Sequence, residues 1–117
     1  MKLADLEWIR QPQEQQGDYM FNGHFLTTAG VKELLNEDEI YWIYVEIQVM
    51  VKVCDGLDYL QVLIREADGQ KLFFIDQLTR QQVDSGEYQM KDNYCTLMLA
   101  EEYWKCSTQA KSLGFIM

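Results

Sequence analysis

The stretch that decides the fold is NEDEIYWIYVEIQVMVKVC, residues 36–54, the densest apolar segment of the chain. Two secondary structures compete for it. Residues 45–53 alternate as in a strand and are rich in β-branched side chains. The ends favour a helix, because Asn36 is a good N-cap, Glu39 completes a capping box, and Gly56 is a stop signal. We therefore predict that the central element is a helix.

This predicted helix, at about residues 37–53, has little polar surface. Glu46 and Gln48 lie on nearly opposite sides of it, so almost every face is apolar. A helix that is apolar all round is normally buried. We therefore expect a central buried helix that lies between a sheet and other elements.

The rest of the sequence predicts an α+β fold, with an antiparallel sheet of four or more strands and helices packed on one face. The predicted elements are helices at residues 2–10 and 29–35, a hairpin of 19–21 with 24–27 around Asn22-Gly23, a hairpin of 59–65 with 71–76 around Asp68-Gly69, and a hairpin of 87–90 with 94–99. Residues 77–85 are polar and predicted to be irregular.

Length and composition indicate one folded domain, residues 1–117. Of its residues, 48% are hydrophobic and 13% aromatic, which is typical of a chain with a core. No signal peptide is visible, and the central run is too short and too polar to span a membrane. Three cysteines without metal-ligand spacing fit reduced thiols, and we predict a cytoplasmic protein.

The chain is strongly acidic, with a formal net charge of −9 and a pI near 4.4. Such a charge disfavours direct binding to nucleic acid or to an anionic membrane. It fits simple solubility, and it also fits a larger basic protein or a nucleoprotein complex as partner. Seven residues form the acidic groups that we predict to bind a partner: Glu37, Asp38, Glu39, Asp84, Glu87, Glu101 and Glu102. If the fold brings them together, they could imitate a phosphate backbone.

The C-terminal extension, residues 104–117, is a second candidate interface. Its apolar side chains either dock on the domain's own core or associate with another copy, which would give a homodimer. The residues predicted for self-association are Trp104, Leu113, Phe115 and Ile116.

Catalytic chemistry has weak support. His24 is the only histidine, and Cys95 could act as a nucleophile only if the fold placed it beside His24. Asp76 and the acidic residues near Glu37 could serve as an acid–base pair, but their spacing is not diagnostic. The sequence has no phosphate loop, nucleophile elbow or metal motif. We therefore predict no catalytic residues, no metal and no cofactor.

Several short motifs resemble a family of small uncharacterised bacterial proteins, with members in cyanobacteria and on phages and plasmids. These motifs are Gly30-Val31-Lys32-x-Leu34, Tyr41-Trp42, the Asp68-Gly69 turn and Leu97-Met98-Leu99-x-x-Glu102-Tyr103. The resemblance covers roughly residues 17–103. The chain departs from the family pattern at Ala100 and Glu101, where proline and serine are usual. The family also usually has a longer segment before the first hairpin strand. The resemblance implies an α+β fold with a central helix and a mobile-element context, but no reaction.

Three functions follow as hypotheses. The first is a non-enzymatic protein-binding module, an anti-CRISPR-like inhibitor of a host nucleic-acid-handling or defence complex that acts through its acidic surface. The second is a small ligand-binding or enzymatic domain with a pocket formed by Tyr41, Trp42 and the sheet. The third is a homo-oligomeric accessory protein assembled through residues 104–117.

Overall fold

The central run forms an α-helix, α2, over Glu37–Cys54, as predicted. Its capping box is complete: the Asn36 side chain accepts from the Glu39 N–H at 2.8 Å, and the Glu39 carboxylate accepts from the Asn36 N–H at 3.2 Å. The helix ends at Asp55, a left-handed residue with φ of 56°. The local cap signals therefore outweigh the strand-like alternation of the second half.

The expected burial of α2 on all sides is not confirmed. Only Ile43, Ile47 and Val51 are buried, and they share one side of the helix. On the other side, Tyr41 is 57% exposed and Val53 is 73% exposed. The physical reason is that the sheet supplies core contacts to one side of α2 only.

The computed structural model describes residues 7–13 and 15–103. The elements, in chain order, are β1 (Trp8–Arg10), β2 (His24–Thr27), α1 (Ala29–Leu34), α2 (Glu37–Cys54), β3 (Leu60–Arg65), β4 (Gln70–Asp76), α3 (Arg80–Asp84) and β5 (Tyr94–Leu99). A short 3₁₀ helix, Met90–Asp92, precedes β5. The fold is α+β.

The strands form one five-stranded sheet in the order β1-β3-β4-β5-β2. Three of the pairings are antiparallel, but β2 pairs with β5 in parallel. The sheet is therefore mostly antiparallel, as predicted, and its one parallel pairing lies at this edge. The helices α1 and α2 pack against one face of the sheet. In the core, helix residues Val31, Ile43 and Ile47 meet alternate strand residues, which are Leu63, Leu72, Phe74 and Leu97.

The predicted first hairpin does not form, because the chain at Gly23 packs against Asn93 and β2 pairs with β5. A Cβ at Gly23 would lie 2.2 Å from the Asn93 carbonyl oxygen, so the glycine permits close approach of the chain ahead of β5. Tyr19 instead makes isolated bridges to Leu57 and Thr79. His24–Thr27 is a strand as predicted, although its partner is 70 residues away (His24 with Tyr94).

Three further predictions are wrong. Trp8–Arg10 is a strand paired with β3, and residues 2–6 of the predicted N-terminal helix lie outside the described residues. Trp8 is fully buried, and its place at the edge of the sheet overrides the helical spacing of its neighbours. Of the predicted strand at 87–90, residues 87–89 are exposed coil and Met90 begins the 3₁₀ helix. Residues 80–84 of the predicted irregular segment form α3, capped by Thr79.

The buried face of β3 is the one that carries the polar residue Gln61, and not the more apolar face of Leu60, Val62 and Ile64. Gln61 and Leu63 are buried toward the helices, whereas Leu60, Val62 and Ile64 are half-buried on the opposite face. The Gln61 amide is satisfied there: its oxygen accepts from Arg10 at 3.0 Å, and its nitrogen donates to the Asp58 carbonyl at 3.1 Å. Within residues 7–13 and 15–103, no helix is both long and apolar enough to cross a membrane.

Candidate functional site

The outer face of α2 carries an apolar stripe. Tyr41, Val45, Val49 and Val53 follow each other at intervals of four residues, which places them along one side of a helix. We call these four residues the outer stripe. Val49 is 50% exposed, and the Tyr41 ring packs edge-on against Trp42 with centroids 5.2 Å apart. A continuous apolar surface of this kind on a folded domain is typical of an interaction site.

Charged residues lie at the two ends of the outer stripe. Glu37 and Asp38 are exposed in the first turn of α2, where they also complement the helix dipole. Lys52 is exposed in the last turn. Since Asp38 precedes Tyr41 by three residues and Lys52 follows Val49 by three, both lie beside the stripe.

Two of the predicted acidic binding residues, Glu39 and Glu102, each accept two hydrogen bonds from within the domain. The Glu39 carboxylate accepts from the Asn36 N–H and also from the Trp8 indole N–H at 3.2 Å. Glu102 accepts from the Thr28 hydroxyl at 2.6 Å and from the Leu99 N–H at 2.8 Å. Both carboxylates therefore help to hold secondary structure elements together.

A series of contacts connects Glu101 to the beginning of α2. Glu101 accepts from the Gln70 side chain at 3.0 Å, and Gln70 pairs with Arg65 at the end of the β3–β4 hairpin. The Arg65 guanidinium lies 5.0 Å from the centre of the Trp8 ring, and Trp8 donates to Glu39. Glu37, Asp38, Glu39, Glu101 and Glu102 therefore belong to one end of the molecule.

Asp84 and Glu87 lie toward the opposite end. Arg80, at the start of α3, forms ion pairs with Asp18 at 2.7 Å and with Asp55 at 2.9 Å. Asp55 caps the C-terminus of α2, and 18 residues at about 1.5 Å each separate the two ends of that helix by roughly 27 Å. The seven acidic residues therefore form two groups and not one continuous surface.

A cleft of about 370 Å³ opens beside His24. It lies between the start of β2 and the segment that connects β4 with β5, and it is lined by Asn22, Gly23, His24, Leu78, Val83, Tyr88, Gln89, Met90 and Asn93. The side-chain oxygen of Asn93 is buried there without a hydrogen-bond partner. Because that oxygen has almost no accessible surface, a ligand in the cleft could reach it only after the Asn93 side chain moved.

Cys95 and His24 do not form a catalytic pair. In the register of the parallel strands, His24 is level with Tyr94 and Phe25 with Cys95, so the two side chains point to opposite faces of the sheet. Cys95 is fully buried, and burial, with the nearby Asp76 charge, raises the pKa of its thiol to about 12. A thiol in this environment is a weak nucleophile.

Asp76 is the most perturbed carboxylate among the described residues. It ends the apolar strand β4 and is only 3% exposed. Burial raises its pKa to about 6, although hydrogen bonds from the Phe21 and Gln77 N–H groups act in the other direction. Asp76 fixes the left-handed Phe21 backbone, for which φ is 50°.

The sequence raised two further kinds of site, a metal centre and a self-association surface. No group of three or more His, Cys, Asp or Glu side chains in residues 7–13 and 15–103 could hold a metal ion. The proposed self-association residues, Trp104, Leu113, Phe115 and Ile116, lie outside the described residues.

The outer stripe was missed by reasoning from sequence. Its signal was present in the four-residue spacing from Tyr41 to Val53, but the same pattern was interpreted as evidence for complete burial. Only the position of the sheet separates the core side of α2 from its outer side.

Comparison of the chain with protein-family models, with curated proteins and with solved structures gives no match.

Proposed function

We propose that this protein is a protein-binding module whose binding surface is the outer face of α2. The observation that carries this proposal is the exposure of the outer stripe, with Tyr41, Val49 and Val53 all at least half exposed. Burying such side chains against a partner is favourable by about 25 cal/mol for each Å² removed from water. The stripe therefore gives a partner both apolar area and a defined direction along the helix.

The charges beside the stripe indicate what a partner must supply. Glu37 and Asp38 favour a cationic group opposite the beginning of α2, and Lys52 favours an anionic group opposite its end. Inhibition of a host nucleic-acid-handling or defence complex, in the anti-CRISPR-like sense, stays a prediction that rests on the net charge and on the family resemblance. In that case, the two separate acidic groups would attract a basic partner at both ends of the domain.

A capture experiment with matched variants tests the proposal. Tagged wild-type protein, Val49→Asp and Met90→Asp are compared in a lysate of the source organism, to which an untagged copy of the chain is added. Val49 is 50% exposed within the outer stripe, whereas Met90 is 82% exposed beside the His24 cleft. We expect Val49→Asp to lose the retained protein and Met90→Asp to keep it. Equal retention by all three proteins would contradict the proposal.

The acidic residues need a separate pair of variants with the same change in net charge. Glu37→Gln with Asp38→Asn neutralises the group beside the outer stripe, and Asp84→Asn with Glu87→Gln neutralises the group at the other end. If the charges beside the stripe orient the partner, only the first pair weakens capture at low salt. Equal weakening by both pairs would indicate an effect of net charge alone.

A second candidate function is binding of a small molecule in the His24 cleft. It is favoured by the volume of this cleft, about 370 Å³, which lies in the range of small-molecule sites. Native mass spectrometry after gentle purification would show a bound molecule, and His24→Ala should release it. Two results together would exclude this candidate. The wild-type protein would have the mass of the chain alone, and its His24 ring resonances in NMR spectra would not shift when small amides or alcohols are added.

A further inference from the structure

The outer face of α2 is self-complementary about its middle residue. Val45 is the central position: Tyr41 and Val49 lie four residues on either side of it, and Asp38 and Lys52 lie seven residues on either side. An antiparallel pair of identical helices crossing at Val45 would therefore place each Tyr41 beside Val49 of the other copy. It would also place each Asp38 beside Lys52 of the other copy.

We propose that the partner of the outer stripe is a second copy of this chain, bound through antiparallel α2 helices related by a twofold axis at Val45. This inference rests on the proposed function, since it names the partner of the same surface. A twofold interface uses one patch twice, so the patch must complement itself. Tyr41, Val45 and Val49 of the outer stripe meet that requirement, as do the flanking charges Asp38 and Lys52, whereas Val53 falls opposite Glu37.

Charge selects the antiparallel arrangement over the parallel one. Parallel helices would bring Asp38 against Asp38 and Lys52 against Lys52, and such like-charge contacts are unfavourable. The antiparallel arrangement replaces them with two symmetric attractive pairs. Both residues are exposed in the single chain, so forming these pairs does not require either side chain to leave the core.

The stripe is also suited to close helix packing. Val45 and Val49 are short and β-branched, so they lose little side-chain freedom in an interface. Helix axes about 8–10 Å apart, with Cα atoms about 2.3 Å from each axis, leave roughly 3–5 Å between facing Cα atoms. That separation is close to the range that a disulfide spans. A cysteine at Val45 should therefore report the twofold axis directly.

The first experiment measures the mass of the full chain by sedimentation equilibrium over a wide range of concentrations. We expect a reversible dimer, because an interface confined to one helix face is small. Asp38→Lys alone and Lys52→Asp alone each convert two attractive pairs into two repulsive ones, and each should weaken dimerisation roughly tenfold. The double variant Asp38→Lys, Lys52→Asp should restore it to within about twofold of the wild type.

Restored dimerisation in the double variant would distinguish loss of the contact between positions 38 and 52 from damage to the helix. The double variant retains the same lysine in the first turn of α2 as the single variant, so any loss of helix stability is present in both. Restored dimerisation therefore requires the pairing of position 38 with position 52. Dimerisation that stays weak in the double variant would overturn the antiparallel arrangement.

The second experiment uses Val45→Cys in a full-length background that carries Cys54→Ser and Cys106→Ser. Mild oxidation should give a disulfide-linked dimer in high yield. The matched variant Met90→Cys, which is more exposed but lies away from α2, should give little. Equal cross-linking of the two variants would overturn the twofold axis at Val45.

The remaining outcomes distinguish this inference from the proposed function. A wild-type chain that is monomeric at every concentration, but captures a different protein in a Val49-dependent manner, overturns the second copy and leaves the proposed function standing. A dimer that survives Val49→Asp but is lost in Phe115→Asp, Ile116→Asp places self-association in residues 104–117 and overturns the inference. A monomer with no Val49-dependent capture overturns both.

Discussion

The carboxylate of Asp76 accepts a hydrogen bond from the backbone N–H of Phe21 at 2.9 Å, across 55 residues of sequence. The carbonyl oxygen of the same Phe21 accepts from the Gln48 side chain of α2. One left-handed residue is thereby fixed from both the sheet and the central helix. Since Asp76 is nearly inaccessible to water, this arrangement makes the stability of the fold depend on pH.

The first prediction concerns this pH dependence. The pKa of Asp76 is about 6 in the folded state and about 3.8 in the unfolded state, so folding favours the protonated form. Its contribution to stability is complete below about pH 3.8 and is lost as the pH rises through about 6. From about pH 4.5 to about pH 7, we expect this group alone to lower the free energy of unfolding by about 2 kcal/mol.

Asp76→Asn isolates the effect. The variant keeps a hydrogen-bond acceptor for one of the two N–H groups but does not titrate. Urea denaturation of both proteins at the two pH values gives the difference between their pH dependences, in which the other ionisable groups cancel. A wild-type pH dependence equal to that of Asp76→Asn would contradict the raised pKa.

The second prediction separates structural from surface carboxylates at the start of α2. Glu39→Ala removes the acceptor of both the Asn36 N–H and the Trp8 indole, so it should lower the free energy of unfolding by about 1–2 kcal/mol. Glu37→Gln is the matched control in the same helical turn and should cost only a few tenths of a kcal/mol. Chemical denaturation followed by tryptophan fluorescence would measure both, and equal effects would argue against the structural role of Glu39.

The third prediction tests the role of Gly23. Gly23→Ala places a methyl group against the Asn93 carbonyl oxygen, so β2 must shift away from β5. We expect a loss of about 2–3 kcal/mol, as for an overpacked site. Gly86→Asn is the control, because Gly86 has φ of 76° but open space around it, and asparagine tolerates that backbone. A hairpin role for Gly23 would instead predict similar, small losses at both positions.

The fourth prediction concerns the thiol of Cys95. With Cys54→Ser and Cys106→Ser, Cys95 is the single cysteine, and its raised pKa of about 12 leaves very little thiolate at neutral pH. Its labelling in the folded protein should be about a thousandfold slower than in the unfolded chain. Labelling with a chromogenic disulfide, with and without urea, would measure this ratio. Rapid labelling of the folded protein would show that Cys95 is accessible and reactive.

The sequence predicted elements correctly where local signals and packing agree. The cap at Asn36 defined α2, and the Asp68-Gly69 turn defined the β3–β4 hairpin. It failed where a distant partner decides the conformation. Trp8 lies in a strand because β3 is available to pair with it, and Asn22-Gly23 is not a hairpin turn because Asn93 lies against the glycine.

The candidate site was harder to predict than the fold, because its definition depends on which side of α2 faces the sheet. An apolar helix surface has the same sequence pattern whether it meets the core or a partner. The acidic residues show the same limit: Glu39 and Glu37 are two positions apart, yet only Glu39 has a long-range contact with Trp8. No local pattern distinguishes them.

The parallel pairing of β2 with β5 also constrains the order in which a nascent chain can fold. β2 is synthesised early, but its partner, Tyr94–Leu99, leaves the ribosome only after some 70 further residues. Contacts of such long sequence separation form late, since the intervening loop must first be closed. The β3–β4 hairpin and the core side of α2 can assemble during synthesis, whereas β2 must wait for release of the C-terminal strand. During that interval, β2 is an unpaired strand that depends on rapid completion of the chain.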